Sequence, residues 1–188
     1  SGNCIQKYQI PTIKTSKEDF YQWIQKMIIK DVEGIGISMP GLIDSDKGYI
    51  HAITLLPFFN QTAFCEELKA YNNLPVTIQN DAKCATLGEM WKGSLKNVDN
   101  GFMLVLGSGI GGTCLLNGKI FETKHHKAGE VGPFLVPQGY QFSNFGRDYN
   151  AVKLIHELSE ILNCPDDGKI VFQHLPESSK AMKHFQNY

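Results

Sequence analysis

The stretch Gly101-Phe102-Met103-Leu104-Val105-Leu106-Gly107-Ser108-Gly109-Ile110-Gly111-Gly112-Thr113-Cys114-Leu115-Leu116-Asn117-Gly118-Lys119-Ile120-Phe121 decides how this chain is read. Gly101 to Leu106 is an apolar run of strand length, and Gly107 to Gly112 reads as a glycine-dense turn. The turn matches G-x-G-x-x-G letter for letter, and Glu130 lies eighteen residues past its end, as in a dinucleotide-binding βαβ unit. Such a unit needs a helix next, because the helix N-terminus receives the pyrophosphate. The next residues instead read as a β-hairpin, Thr113 to Leu116 and Lys119 to Phe121, closed by Asn117-Gly118. The dinucleotide reading therefore fails, and no G-x-x-x-x-G-K-[ST] occurs to support a P-loop. Two readings stay open for the turn. It is either a tight hairpin connection or an anion-holding concavity, in which Gly107, Gly109, Gly111 and Gly112 free the backbone amides and Ser108 adds a hydroxyl donor. Four glycines in six residues exceed what a turn requires, which favours phosphate.

Upstream, Pro75-Val76-Thr77-Ile78 reads as a strand that ends at Gln79-Asn80-Asp81, with a helix from Ala82 to about Trp91. This order holds the Asp81 carboxylate at a strand end, while Asn80 offers both donor and acceptor to a polyol. The plain alternative is that Asp81 only caps the helix. Beside a phosphate-binding turn, a carboxylate that accepts a hydroxyl proton supplies what phosphoryl transfer otherwise lacks. Downstream, Gly129-Glu130-Val131-Gly132 interrupts the pattern, and Glu130 is either a ligand of sugar hydroxyls or a surface acid. His125-His126 has no cysteine or acidic cluster at ligand spacing and reads as a solvated loop.

The remaining chain alternates strands with helices. Cys4 to Ile10 reads as a strand closed by Pro11. Ser16 caps a helix whose Phe20, Trp23, Ile24, Met27 and Ile28 share a buried face. Gly34 to Ser38 is a strand running into Met39-Pro40-Gly41, Asp44 to Gly48 turns the chain, and Phe64, Leu68 and Tyr71 form one helical stripe. The last clear element is a helix with Ala151, Leu154, Ile155, Leu158, Ile161 and Leu162 on one face, ended by Pro165-Asp166-Asp167-Gly168. Such alternation implies an α/β sheet with helices on its faces, where ligands sit beyond the carboxyl ends of strands. The polar segments 38–41, 79–81 and 107–109 all fall at strand ends, so a shared cleft is expected.

Composition narrows the function class. Of 188 residues, 42% are hydrophobic and 20% charged, which excludes disorder, coiled coil and collagen. A net charge of −1 without a basic block argues against nucleic acid as a partner. No apolar run approaches membrane-span length and no leader opens the chain, so a cytoplasmic location without membrane association is expected. Five scattered cysteines (Cys4, Cys65, Cys84, Cys114, Cys164) indicate neither a disulfide framework nor a zinc ribbon.

In their order the motifs resemble the ROK family of sugar kinases and sugar-sensing repressors. The matching pieces are Gly34-Ile35-Gly36-Ile37-Ser38-Met39-Pro40-Gly41, Asn80-Asp81-Ala82-Lys83, Gly88-Glu89 with Gly93, the glycine turn with Asn117-Gly118-Lys119, and Ala128-Gly129-Glu130. The resemblance implies an actin-like ATPase (ribonuclease H-like) two-lobed α/β fold, with residues 1–80 in an N-terminal lobe and 81–188 in a C-terminal lobe. It implies Asp81 as general base, Gly41, Asn80, Asp81 and Glu130 at the sugar, and Gly107, Ser108, Gly109, Gly111 and Gly112 at the phosphates of ATP with Mg²⁺. A hexose or N-acetylhexosamine would be the acceptor and a homodimer the assembly; the alternative is a non-catalytic sugar-sensing module of a transcriptional regulator. The family's first phosphate loop is absent before Ser1-Gly2-Asn3, and a further helix and nucleotide loop normally follow the position of Tyr188. A piece of a larger two-lobed protein is therefore expected. Pro133 stands where many members carry a histidine, and Gln138 to Arg147 lacks their zinc-binding cysteines, so no zinc is expected.

Overall fold

The computed structural model describes residues 2–29 and 31–188; Ser1 and Lys30 lie outside them. The chain divides into two compact units, Ser1–Asp81 and Ala82–Tyr188.

The first unit is built around helix α1 (Lys17–Met27). The Ser16 hydroxyl accepts the Asp19 N–H at 3.0 Å, satisfying one of the free amides of the first turn. α1 buries Phe20, Tyr21 and Ile24 against strands β1 (Ile35–Met39), β2 (Leu42–Asp44) and β3 (Tyr49–Ala52), helix α2 (Phe64–Asn72) and strand β4 (Val76–Asn80). Phe59 is the hub, edge-on to Phe20 at 5.0 Å and to Phe64 at 5.1 Å. The Tyr21 hydroxyl donates to Glu67 at 3.1 Å, tying α1 to α2. Burial, with the carboxylate beside it, holds that phenol above its ordinary range. β1 and β4 run parallel, Ile35 opposite Val76 through Met39 opposite Asn80, so both end at the same edge. β2 and β3 form a hairpin around the turn read at Asp44 to Gly48, where Gly48 takes φ +62° and Asp44 accepts the Lys47 N–H.

The strand expected at Cys4 to Ile10 does not form. No strand among the described residues pairs with it, and Ile5 is 98% exposed, so its apolar pattern has neither ladder nor core to join.

The second unit begins on helix α3 (Asp81–Lys92), whose first residue closes the first unit. Strands β5 (Gly101–Leu106), β6 (Ile110–Leu116) and β7 (Lys119–Ile120) form an antiparallel sheet. Asn117 and Gly118 both take positive φ, as the tight hairpin requires. The glycine-dense turn is shorter than expected: β6 already starts at Ile110, with Gly111 and Gly112 paired to Val105 and Leu104. Strands β8 (Leu135–Gln138) and β9 (Gln141–Asn144) form a second hairpin, unforeseen in sequence. The short helix α4 (Phe145–Asp148) comes next, then α5 (Ala151–Leu162), α6 (Gly168–His174) and α7 (Ser179–Asn187). α5 matches the expected helix, capped by Asn150 and stopped by Asn163 at φ +51°. Its Leu158 packs with Val171, Leu175 and Ala181 in a separate core. α6 and α7 were also unforeseen. In place of one continuous sheet the described residues make four sheets of two or three strands. All five cysteines are free thiols, and no helix among the described residues is long and apolar enough to cross a membrane.

Candidate functional site

In the first unit the parallel ends of β1 and β4 bring three predicted residues together. Gly41 follows β1 with φ +124°, and a Cβ there would lie 2.6 Å from the Ala52 carbonyl oxygen, so only glycine fits. That turn presents the Gly41 carbonyl to Asn80, whose side-chain amide donates to it at 3.1 Å. Asn80 is 6% exposed, and its backbone N–H donates to the Gln79 side chain at 2.7 Å. Asp81 comes at once as the first residue of α3, exposed, where the positive end of the helix favours a carboxylate. The arrangement is a fixed amide and an accessible carboxylate at the carboxyl edge of a parallel strand pair, the position where such sheets bind ligands.

In the second unit the glycine segment separates into two parts with different physical reasons. A Cβ at Gly111 would lie 2.9 Å from that of Ala82, and one at Gly112 would lie 2.3 Å from the Gly129 carbonyl oxygen and 2.8 Å from the Phe102 ring. Close packing explains both. A Cβ at Gly107 would find its nearest neighbour at 4.0 Å and one at Gly109 at 3.9 Å, and neither residue has positive φ. Neither packing nor a positive φ demands glycine at these two positions. Gly107 donates its N–H to the Gly109 carbonyl at 2.9 Å, closing the turn, with Ser108 and Gly109 exposed.

One feature of this turn was missed in sequence. The Ala151 N–H, at the start of α5, donates to the Gly107 carbonyl at 3.1 Å, so a helix N-terminus stands beside the glycine turn after all. It comes from a helix far along the chain, where no local motif could announce it.

Glu130 sits half-buried in a turn laid on β6. Its preceding residue, Gly129, has φ +83°, and a Cβ there would meet Thr113 and Cys114 backbone at 2.8 Å. Gly112 and Gly129 are thus a matched pair that lets the Glu130 turn lie on the strand. Glu130 itself donates its N–H to the Lys127 carbonyl at 3.2 Å. His125 is exposed, as expected of a solvated loop, and His126 is half-buried with Nδ1 3.9 Å from Glu122.

Lys83 received no role from its sequence, yet it is 1% exposed and its ammonium lies 2.7 Å from both carboxylate oxygens of Glu122. Lysine beside Ala82 and Cys84 in a first helical turn was a readable oddity; Glu122 carried no signal.

The ROK family model matches residues 1–166. A glucokinase from Halalkalibacterium halodurans is 32% identical over 163 residues, covering 78% of this chain and 48% of that protein. A β-glucoside kinase from Listeria monocytogenes is 38% identical over 102 residues, covering 54% and 35%. The chain thus spans about half, or less, of the length of these curated relatives. Among solved structures, a ROK family protein from Streptococcus pneumoniae in complex with sucrose aligns with a TM-score of 0.74 at 24% identity, over 97% of this chain and 63% of that one. A ROK family glucokinase from Streptomyces griseus in complex with glucose and AMPPNP aligns with a TM-score of 0.68 at 22% identity, over 83% and 53%. The fold is accordingly the mixed α/β fold of the actin-like ATPases.

Proposed function

Because this chain belongs to the ROK family, we propose that it carries the sugar-binding and phosphate-binding parts of an ATP-dependent sugar kinase. The observation that carries the reading is the Gly41–Asn80 hydrogen bond at the carboxyl edge of β1 and β4, with Asp81 directly after it. Asn80 is held by that bond and presents its side-chain amide to sugar hydroxyls. Asp81 accepts the proton of the attacking hydroxyl, whose oxygen bonds to the γ-phosphorus as the bond to the β-phosphate oxygen breaks and ADP leaves. Glu130 accepts hydrogen bonds from further hydroxyls. Gly107, Ser108 and Gly109 face the phosphates, whose charge a bound Mg²⁺ would neutralise; Gly111 and Gly112 shape the strand behind them. The glucokinase and β-glucoside kinase names of the relatives support a hexose acceptor.

A coupled ADP-release assay with glucose, N-acetylglucosamine and β-glucosides tests this. Turnover is expected with at least one of them, and Asp81→Asn is expected to lower it by roughly 10²–10⁴-fold while sugar still binds. Retained turnover in Asp81→Asn refutes the assignment. No turnover on any sugar, combined with heat stabilisation by one of them, would instead favour the sugar-sensing module.

A further inference from the structure

We infer that the Lys83–Glu122 ion pair is a positioning device for sugar affinity, holding the loop that carries Glu130 against α3. The inference rests on the reading of Glu130 as a sugar ligand. Lys83 is the third residue of α3, at the helix end whose dipole disfavours a cation, and it is almost fully buried. Neither the helix nor the core favours an ammonium there, and a buried charge persists only when it is paired. The Glu122 carboxylate supplies the pair, with both oxygens at 2.7 Å.

What Glu122 belongs to gives the pair its consequence. Residues 121–134 form no helix or strand. At one end of that loop the Phe121 N–H donates to the Cys114 carbonyl at 2.9 Å. At the other, Gly129 lies against Thr113 and Cys114, and a Cβ on Gly132 would lie 2.6 Å from the Ile110 carbonyl oxygen. Between these anchors Glu122 to Lys127 run largely exposed, and through Glu122 this span is tied to a helix by two charge-assisted bonds. His126 lies 3.9 Å from the same carboxylate, so the tie reaches the residues that lead into Glu130. Lys83 and Glu122 act on the sugar through this loop.

The test compares Lys83→Met, Lys83→Arg, Glu122→Gln and the double variant Lys83→Met/Glu122→Met in the full chain. Affinity for glucose and N-acetylglucosamine is read by calorimetry, KM for sugar and for ATP by coupled assay, and Tm by calorimetry. Lys83→Met and Glu122→Gln are expected to weaken the bound sugar roughly tenfold or more, with KM for ATP unchanged and Tm lowered. Lys83→Arg, which keeps the charge, should retain more affinity than Lys83→Met. The apolar double variant should recover Tm, since replacing a buried pair by apolar groups is often neutral or stabilising, yet leave sugar affinity low. Parent-like sugar affinity in the single variants, or recovery of both Tm and affinity in the double, overturns the inference and leaves the pair a stabilising contact only. Glu122→Gln, at a partly exposed side chain, carries the test if Lys83→Met does not fold. A parent chain that binds neither sugar overturns the sugar-site reading itself, and a parent that binds sugar while Glu130→Gln has no effect overturns the role of the loop.

Discussion

Gly112→Ala is the sharpest probe of how the glycine segment works, because the structure gives this glycine a packing reason that needs no phosphate contact. The added Cβ would lie 2.3 Å from the Gly129 carbonyl oxygen, where ordinary contact begins at 3.4 Å, so the Glu130 turn must retreat by about 1.1 Å or β6 must yield. Backbone on both sides makes yielding costly. Overpacking of this kind destabilises by about 1–3 kcal/mol. For a chain of this length that is roughly 2–4 °C in Tm for each kcal/mol. With Glu130 as the proposed sugar ligand, a displacement near 1 Å of its carboxylate also carries a functional cost, on the order of 10²-fold in the extreme. The expected phenotype is therefore a lowered Tm together with a raised KM for sugar and an unchanged KM for ATP, measured by scanning calorimetry and coupled ADP release. Gly88→Ala is the matched control: it lies inside α3 with nothing within 4 Å of the added methyl and should stabilise slightly, by about 0.4–1 kcal/mol. Gly112→Ala with parental Tm and sugar KM would refute the packing role, and a selective rise in KM for ATP would return Gly112 to the phosphates.

Three further outcomes are expected. Leu158→Ala, at a side chain with no exposed surface in the core of α5, α6 and α7, should cost about 2–5 kcal/mol in denaturant unfolding; under 1 kcal/mol would mean that this small core is not cooperative. Tyr21→Phe leaves the ring packed but removes the bond to Glu67, and chemical denaturation should register a loss of about 1–2 kcal/mol. The Arg147 hydrogen bonds, followed by the Asn144 N–H, hold the Asp148 carboxyl at about 2, against an ordinary 3.8. Because the folded value lies below the unfolded one, this contribution is complete above 3.8 and fades as pH falls from there towards 2. Tm should drop through that window, and Arg147→Met should make the drop shallower; an identical acid profile in both would show that Asp148 contributes nothing to it.

Much of the site was legible because it is local. Asn80 ends a strand and Asp81 opens a helix, and the hairpin after Gly112 excluded the dinucleotide reading by chain order alone. The α1 and α5 helices declared themselves through cap residues and apolar spacing. α6 and α7 did not, although Asp167 and Ser178 cap them by accepting the Ile170 and Ala181 N–H groups, because each helix contributes too few apolar residues for periodicity to register. The error at Cys4 to Ile10 has the opposite cause. A strand pattern states only what a segment can do if another strand accepts it, and none among the described residues does.

The amino-acid sequence alone determined the order of the motifs, hence the family, the fold class and the candidates Asn80, Asp81 and Glu130, since these depend on residue type and on neighbours close along the chain. Only the tertiary structure decided which glycines packing requires and which it does not. Gly107 and Gly112 look alike in sequence. What separates them is the free space around one and the Gly129 carbonyl against the other. The helix start beside Gly107 and the partner of Lys83 were decided the same way, by contacts between residues far apart in the chain, which no spacing along it can encode.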